Sequence, residues 1–254
     1  MRFSSVFRRS LWLALPAMLA FSSCSDDSDP APQQGRIYFL NGAANVNVAT
    51  KVLIDDVEKN TLTYGQTATY QAVNVGSRTI KINGGTTTLV TQPVTVEANK
   101  NYSYFIYNSG TSNATTGLLL TDDLTAPATT PSPGKAKVRL VHIAQGLGTP
   151  NGQGTAVPIN LSEALTVGYA DRIPGVAFGT GSSFLEINAG NFNLAITAGS
   201  APANPLVFNV GNGTGTGTGT YNYVAGKIYT IVVRGAASNL DATLQPKVYV
   251  IQNN

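Results

Sequence analysis

Val73-Asn74-Val75-Gly76, followed by Ile80 and Ile82, and Ile187-Asn188-Ala189-Gly190, followed by Leu194 and Ile196, are one pattern written twice. Each sets apolar residues two apart on both sides of a glycine, which is the period of strands with one buried face. Read as a duplicated hairpin, the pattern puts Gly76 and Gly190 where the turn needs a positive φ, a conformation glycine adopts without a Cβ penalty. The residues before them keep step, Tyr64-Gly65 answering Phe178-Gly179 and Tyr70 answering Phe184 at the same offset. Further on, Ala98-Asn99-Lys100-Asn101-Tyr102 answers Ala225-Gly226-Lys227-Ile228-Tyr229, and an insertion around residues 211–220 accounts for the wider spacing. At the front, Arg36-Ile37-Tyr38 is set against Arg139-Leu140-Val141. Two copies make a duplication and are too few for a solenoid.

Working outward, the first copy offers seven short candidate strands at 36–41, 46–55, 66–75, 77–83, 87–97, 101–108 and 116–121. The chain is rich in Gly (26 of 254 residues) and only 11% charged. With much Thr, Asn, Val and Tyr, that balance favours strands joined by tight turns over helices. The stretch Asp122 to Ala136, with three prolines, reads as a linker. The expected class is therefore all-β: two tandem immunoglobulin-like β-sandwich domains after a lipoprotein signal peptide. The expected boundaries are leader 1–23, tether 24–35, first sandwich 36–121, linker 122–136 and second sandwich 137–254.

The starts Gly35-Arg36-Ile37-Tyr38-Phe39-Leu40-Asn41 and Ala136-Lys137-Val138-Arg139-Leu140-Val141-His142-Ile143-Ala144 carry a family resemblance. The Asn-x-Gly hairpins, the Lys-x-Tyr strands and the Leu118 to Leu124 passage into a Pro-rich linker share it. Together they resemble the bacterial domain of unknown function family 4397. The resemblance covers nearly all of the chain after the leader. It implies tandem copies on a secreted protein or lipoprotein and carries over no activity and no catalytic residue. The chain departs from the pattern by larger loops in the second half and by Asn41 where Ala144 stands in the other copy.

The N-terminus speaks to location. Arg2, Arg8 and Arg9 precede the apolar run Leu11 to Phe21, which is interrupted by Pro16. That run falls short of the roughly 20 apolar residues that span a bilayer, and it fits a secretory leader. Phe21-Ser22-Ser23-Cys24 then resembles a lipobox, in which small residues precede a cysteine that becomes the lipidated first residue. Cys24 is the only cysteine, so no internal disulfide forms. Ser25-Asp26-Asp27-Ser28-Asp29 resembles an acidic surface-export tag, and Ser25 directly after the cysteine argues against inner-membrane retention. The same acids also make a solvated tether. Outer-membrane anchoring with display at the cell surface is the expectation, the membrane being a partner through the lipid.

Chemistry is sparse. Taking the three leader arginines from 16 Lys and Arg leaves 13 bases against 13 acids, too balanced for nucleic-acid binding. His142 is the only histidine, on a strand face shared with Val138 and Leu140, and no nucleophile-elbow motif surrounds any hydroxyl. A partly buried histidine bonded to backbone is the expected role. One Cys and one His cannot build a zinc site, and neither Asp55-Asp56-Val57-Glu58 nor Asp122-Asp123 has the spacing of a calcium loop. No cofactor, no metal and no catalytic residue is expected. Residues 211–220, alternating Gly and Thr from Gly213 onward, lack the Lys and following helix of a phosphate loop and read as an expanded, mobile hairpin tip. Tyr102, Tyr104 and Tyr229 are expected to pack on strands. The sequence thus points to a noncatalytic envelope lipoprotein, a surface-exposed interaction or adhesion protein whose ligand, protein or glycan, it does not name. A glycan-binding accessory module is the alternative, and a two-domain hydrolase a third reading.

Overall fold

In the first half eight strands follow one another: β1 (Gln34–Asn41), β2 (Thr50–Ile54), β3 (Val57–Leu62), β4 (Thr67–Asn74), β5 (Gly76–Gly84), β6 (Thr87–Val96), β7 (Asn101–Asn108) and β8 (Thr115–Asp122). The second half adds β9 (Lys135–Gln145), β10 (Ile159–Ala164), β11 (Tyr169–Val176), β12 (Thr180–Gly181), β13 (Leu185–Asn188), β14 (Gly190–Phe192), β15 (Leu194–Ala198), β16 (Leu206–Asn209), β17 (Tyr221–Tyr223), β18 (Ile228–Ala236) and β19 (Lys247–Gln252). This computed structural model describes residues 32–254 apart from 47, 111, 113, 153 and 200–204. No α-helix occurs among them.

Each half is a sandwich. The first packs sheet β4-β1-β7-β8 on sheet β3-β2-β5-β6 around Ile37, Phe39, Val52, Ile80, Ile82 and Tyr104. The second repeats the strand order, with β12 and β13 beside β9 where β4 lies beside β1, and then β18 and β19; its other sheet is β11-β10-β15-β16. The first and seventh strands of the first half run parallel, as do β9 and β18. Four strands in each sheet of the first half, with that parallel pair, depart from the four-plus-three immunoglobulin arrangement. The eighth strand escaped the sequence reading because β3, Val-Glu-Lys-Asn-Thr-Leu, is a polar edge strand with only Leu62 buried. Charges on an edge discourage pairing with other chains, and they erase the alternation that betrays a strand. β2 turns into β3 through Asp55 and Asp56, both at positive φ (49° and 65°), as a two-residue hairpin requires.

Hydrogen bonds fix the correspondence between the halves. The Tyr102 hydroxyl accepts from the Glu97 amide (3.1 Å) and the Tyr229 hydroxyl from the Val224 amide (3.0 Å). The Arg36 and Lys137 amides donate to the carbonyls of Lys100 and Lys227, each at 2.9 Å. Ile37 therefore answers Val138, and Asn41 answers His142. The front alignment of Arg36 with Arg139, and of Asn41 with Ala144, is corrected by two residues. A two-residue slip leaves every side chain on its own face, so alternation cannot detect it. Tyr102→Phe and Tyr229→Phe should each cost about 0.5–1.5 kcal/mol by removing one half-buried hydrogen bond, a loss readable by urea unfolding.

The two sandwiches also share a core. Tyr38, Leu40 and Phe105 from the first half pack against Val141, Ile143 and Val232 from the second. Layers thus stack four deep within the compact unit Pro32–Asn254. The inner strands are apolar on both faces, which is why β18 is buried along its whole length. One end of this shared core is polar. Arg139 Nη1 meets Asp122 Oδ1 at 2.6 Å, with the two side chains 1% and 0% exposed. Ser103 Oγ donates to Asp122 Oδ2 (2.6 Å), Arg139 donates to Ser103 Oγ (3.0 Å) and Thr230 Oγ1 (2.9 Å), and Tyr70 donates to the same carboxylate (2.5 Å). Burial, and then the Asp122 charge, push the Tyr70 hydroxyl well above its usual range. The linker reading of 122–136 is corrected at both ends: Asp122 closes β8, and Lys135 and Ala136 open β9. Likewise Gln34 and Gly35 belong to β1 and not to the tether.

Candidate functional site

A cavity of about 580 Å³ lies at the end of the second sandwich where β9 begins. Five consecutive residues, Leu185 to Ala189, line it, so it runs along the free edge of β13. Its other wall includes Asp171 and Arg172 of β11, the edge strand of the facing sheet. Phe192 and Leu194 complete the apolar floor, with Phe192 stacked on Tyr223 at 5.0 Å and 29°. Glu163 pairs with Arg172 at the mouth, and Lys135 Nζ donates to Asn188 Oδ1 (2.6 Å). Asp171 directs an oxygen to Ser162 Oγ (2.8 Å). The volume is that of a ligand pocket, and the shape is a slot between two sheet edges.

The first half shows the same place closed. The matching depression measures only about 280 Å³ and is lined by Gln34, Ile54, Lys59, Val73 and Arg78 among others. Register sets Ile54 against Glu163, Val73 against Ile187 and Arg78 against Phe192. Lys59 and Arg172 are each the extra residue of a bulge. Arg78 is the bolt. Its Nε donates to the Asn74 carbonyl (2.9 Å), Nη2 donates to the Val75 carbonyl, and Nη1 pairs with Asp55 (3.2 Å). The second half has a phenylalanine there.

Cys24, Ser25, Asp26, Asp27 and Asp29 lie outside the described residues. The structure brings the other candidates into no common site. Asp55 accepts from the Thr79 amide (2.9 Å), which together with Arg78 holds its carboxyl below the usual range, and Asp56 pairs with Lys81 (2.5 Å). Asp123 bonds Lys137 (2.8 Å) and Thr125, which hold it down at about 2. Among the described residues no group of three or more His, Cys, Asp or Glu is placed to hold a metal ion. Tyr102, Tyr104 and Tyr229 all pack in cores.

The reading of residues 211–220 as a hairpin tip is corrected. The segment interrupts the strand that answers β6, between β16 and β17, and folds back over β19. Gly213 O accepts from the Val250 amide (2.9 Å), Thr214 bridges Tyr249, and Asn212 Oδ1 bonds the Thr214 and Thr216 hydroxyls. An unpaired sheet edge is thereby covered.

His142 is fully buried, beyond the partial burial expected, with Nε2 3.1 Å from the Val157 carbonyl and Phe178 edge-on at 5.6 Å. Burial drives its pKa down to about 4, against 6.5 for a free imidazole. The neutral ring is what the fold accommodates, so its stabilisation is complete above pH 6.5. It is lost as pH falls from 6.5 toward 4, because the unfolded chain takes up the proton first. The loss should reach roughly 3 kcal/mol in urea titrations, and His142→Phe should flatten the curve across that window.

Residues 35–151 match the family described as a domain of unknown function, DUF4397. The chain thus carries a DUF4397 segment. That segment comprises the first sandwich, the connection and all of β9. No curated protein matches the chain. Sequence reasoning missed the slot, although its signal was present: Arg78 and Phe192 occupy one position of the repeated pattern, and only one of them can bond to carbonyls.

Proposed function

We propose that this DUF4397 protein is a noncatalytic lipoprotein of the cell envelope, anchored through Cys24, that holds a polypeptide partner away from the membrane. The observation that carries the reading is the unequal treatment of two like sandwiches: one end is bolted shut by Arg78, and the matching end stays open beside Phe192. The shared core and the buried Asp122–Arg139 pair support a rigid display body. The second half is read as a further copy of the same domain, since its strand order repeats the first. The Ser25 to Asp29 acids favour the cell surface.

Mass spectrometry of the mature N-terminus tests the anchor, with a diacylglyceryl or triacyl mass on Cys24 expected. An unmodified thiol, or a chain starting further downstream, overturns it. Surface proteolysis of intact cells tests display: wild type should be cleaved, and a variant with Asp26, Asp27 and Asp29 replaced by Asn should be protected.

A further inference from the structure

We propose that the slot along β13 accepts an extended segment of a partner polypeptide as an added strand, and that a Lys or Arg of that segment takes the place Arg78 fills in the first half. The inference rests on the reading of the chain as an interaction protein and names the kind of partner. Ala189 donates its amide to the Gly134 carbonyl (3.0 Å) on the β9 side. Amides alternate along a strand, so those of Ile187 and Leu185 also face β9, while the N–H and C=O groups of Glu186 and Asn188 face the slot. Among the described residues, β9 is the one strand with which β13 pairs. Leu185 and Ile187, both half-buried, project beside that edge and would meet alternate side chains of an incoming strand.

The chain displays this kind of contact once already. At β19, which lies on the opposite edge of the same sheet, the segment around Gly213 and Thr214 supplies the edge bond to Val250. The chemistry of the missing piece is read from the first half. There a guanidinium bonds the carbonyls of Asn74 and Val75, whose counterparts are Asn188 and Ala189. Phe192 cannot replace it, and Glu163 stands at the mouth where the first half has the buried Ile54. A cation from outside restores the donors, next to the Glu163–Arg172 pair at the mouth. An acyl chain would leave the edge groups unanswered, and sugar hydroxyls would not repeat at the spacing of a strand.

The test uses the full mature chain. A phage-displayed library of extended peptides of about ten residues is panned on it, and enriched peptides are measured by fluorescence anisotropy. Enrichment of a Lys or Arg among alternating apolar residues is expected. Affinity should fall at least about tenfold in Phe192→Arg, which installs the bolt. It should fall similarly in Glu186→Pro, which removes an amide that the sheet itself does not use. Circular dichroism should show both variants folded, and hydrogen exchange should show new protection at Glu186 and Asn188. No enrichment, equal binding by a folded Phe192→Arg or Glu186→Pro, protection elsewhere, or capture of a neutral oligosaccharide panel that Phe192→Arg abolishes would each overturn the proposal. Failure of the peptides with Cys24 acylated overturns the slot alone. An unmodified Cys24 with peptides bound overturns the envelope reading and leaves the slot standing.

Discussion

Asp122→Ala is expected to lower the unfolding free energy by about 3–5 kcal/mol, the cost of leaving one charge of a buried pair without its partner. Arg139 would remain, 1% exposed, and a guanidinium cannot shed its proton in a protein. Its remaining neighbours are the hydroxyls of Ser103 and Thr230 and the rings of Phe184 (4.6 Å) and Phe105 (5.8 Å), none of them anionic. Tyr70 and Ser103 would lose their acceptor as well. The double variant Asp122→Leu with Arg139→Met should recover much of the loss, because an apolar pair of similar volume needs no desolvation of charge. Guanidinium chloride unfolding of the wild type, both single variants and the double variant measures the coupling. A single-variant loss below about 1 kcal/mol, or additive losses, would mean that Asp122 is the solvated linker residue its sequence context suggests.

That context shows where legibility ended. The repeated turn around Gly76 and Gly190 is strong in the sequence because a glycine and a two-residue period agree at the same offset, although the strands it joins lie in different sheets and do not form the hairpin that the spacing suggests. The sandwich class and most strands of the first half follow from it. The shared core left its mark too: Ile37 to Leu40, Tyr104 to Tyr107 and Ile231 to Val233 are apolar without alternation, the mark of strands covered on both faces. Read as half-buried, those runs suggested two sandwiches on a flexible connection. Asp122 followed by Asp123 and three prolines looked like solvent-facing chain, since a carboxylate's buried partner 17 residues away is invisible to local pattern.

The slot was hidden for a related reason. Phe192 and Arg78 satisfy the same strand alternation, one by burying a ring and the other by lying along the surface to reach carbonyls. Nothing in either segment says that one closes a sheet edge and the other leaves it open. The difference resides in which backbone groups a side chain reaches, and it goes with the shortness of β13 compared with β4. The leader and lipobox behave oppositely: they are read by processing enzymes as linear sequence, so their signal is local and needs no fold.

Phe105→Ala should cost about 3–5 kcal/mol as well, and its pattern separates a shared core from a loose docking of two domains. Tyr104 and Phe105 are neighbours on β7 and both fully buried, but they point into different cores. Tyr104 belongs to the first sandwich. Phe105 lies between the sandwiches, with Tyr38 and Leu40 on its own side and Val141, Ile143 and Val232 opposite. Truncating it leaves a cavity that neither sheet fills alone, because both are held by ladders whose strands cannot advance without breaking register. Native-state hydrogen exchange should then show faster exchange in β9 and β18 as well as in β1 and β7, with thermal unfolding still a single transition. Were the halves joined only by the Pro-rich connection, Phe105 would be a surface residue of one domain and its truncation would change stability by no more than about 0.5 kcal/mol. Exchange confined to the first half, or a second thermal transition that Phe105→Ala leaves unmoved, would rule out the shared core. The expected result is a loss felt on both sides, since the same methylene contacts serve two sheets at once.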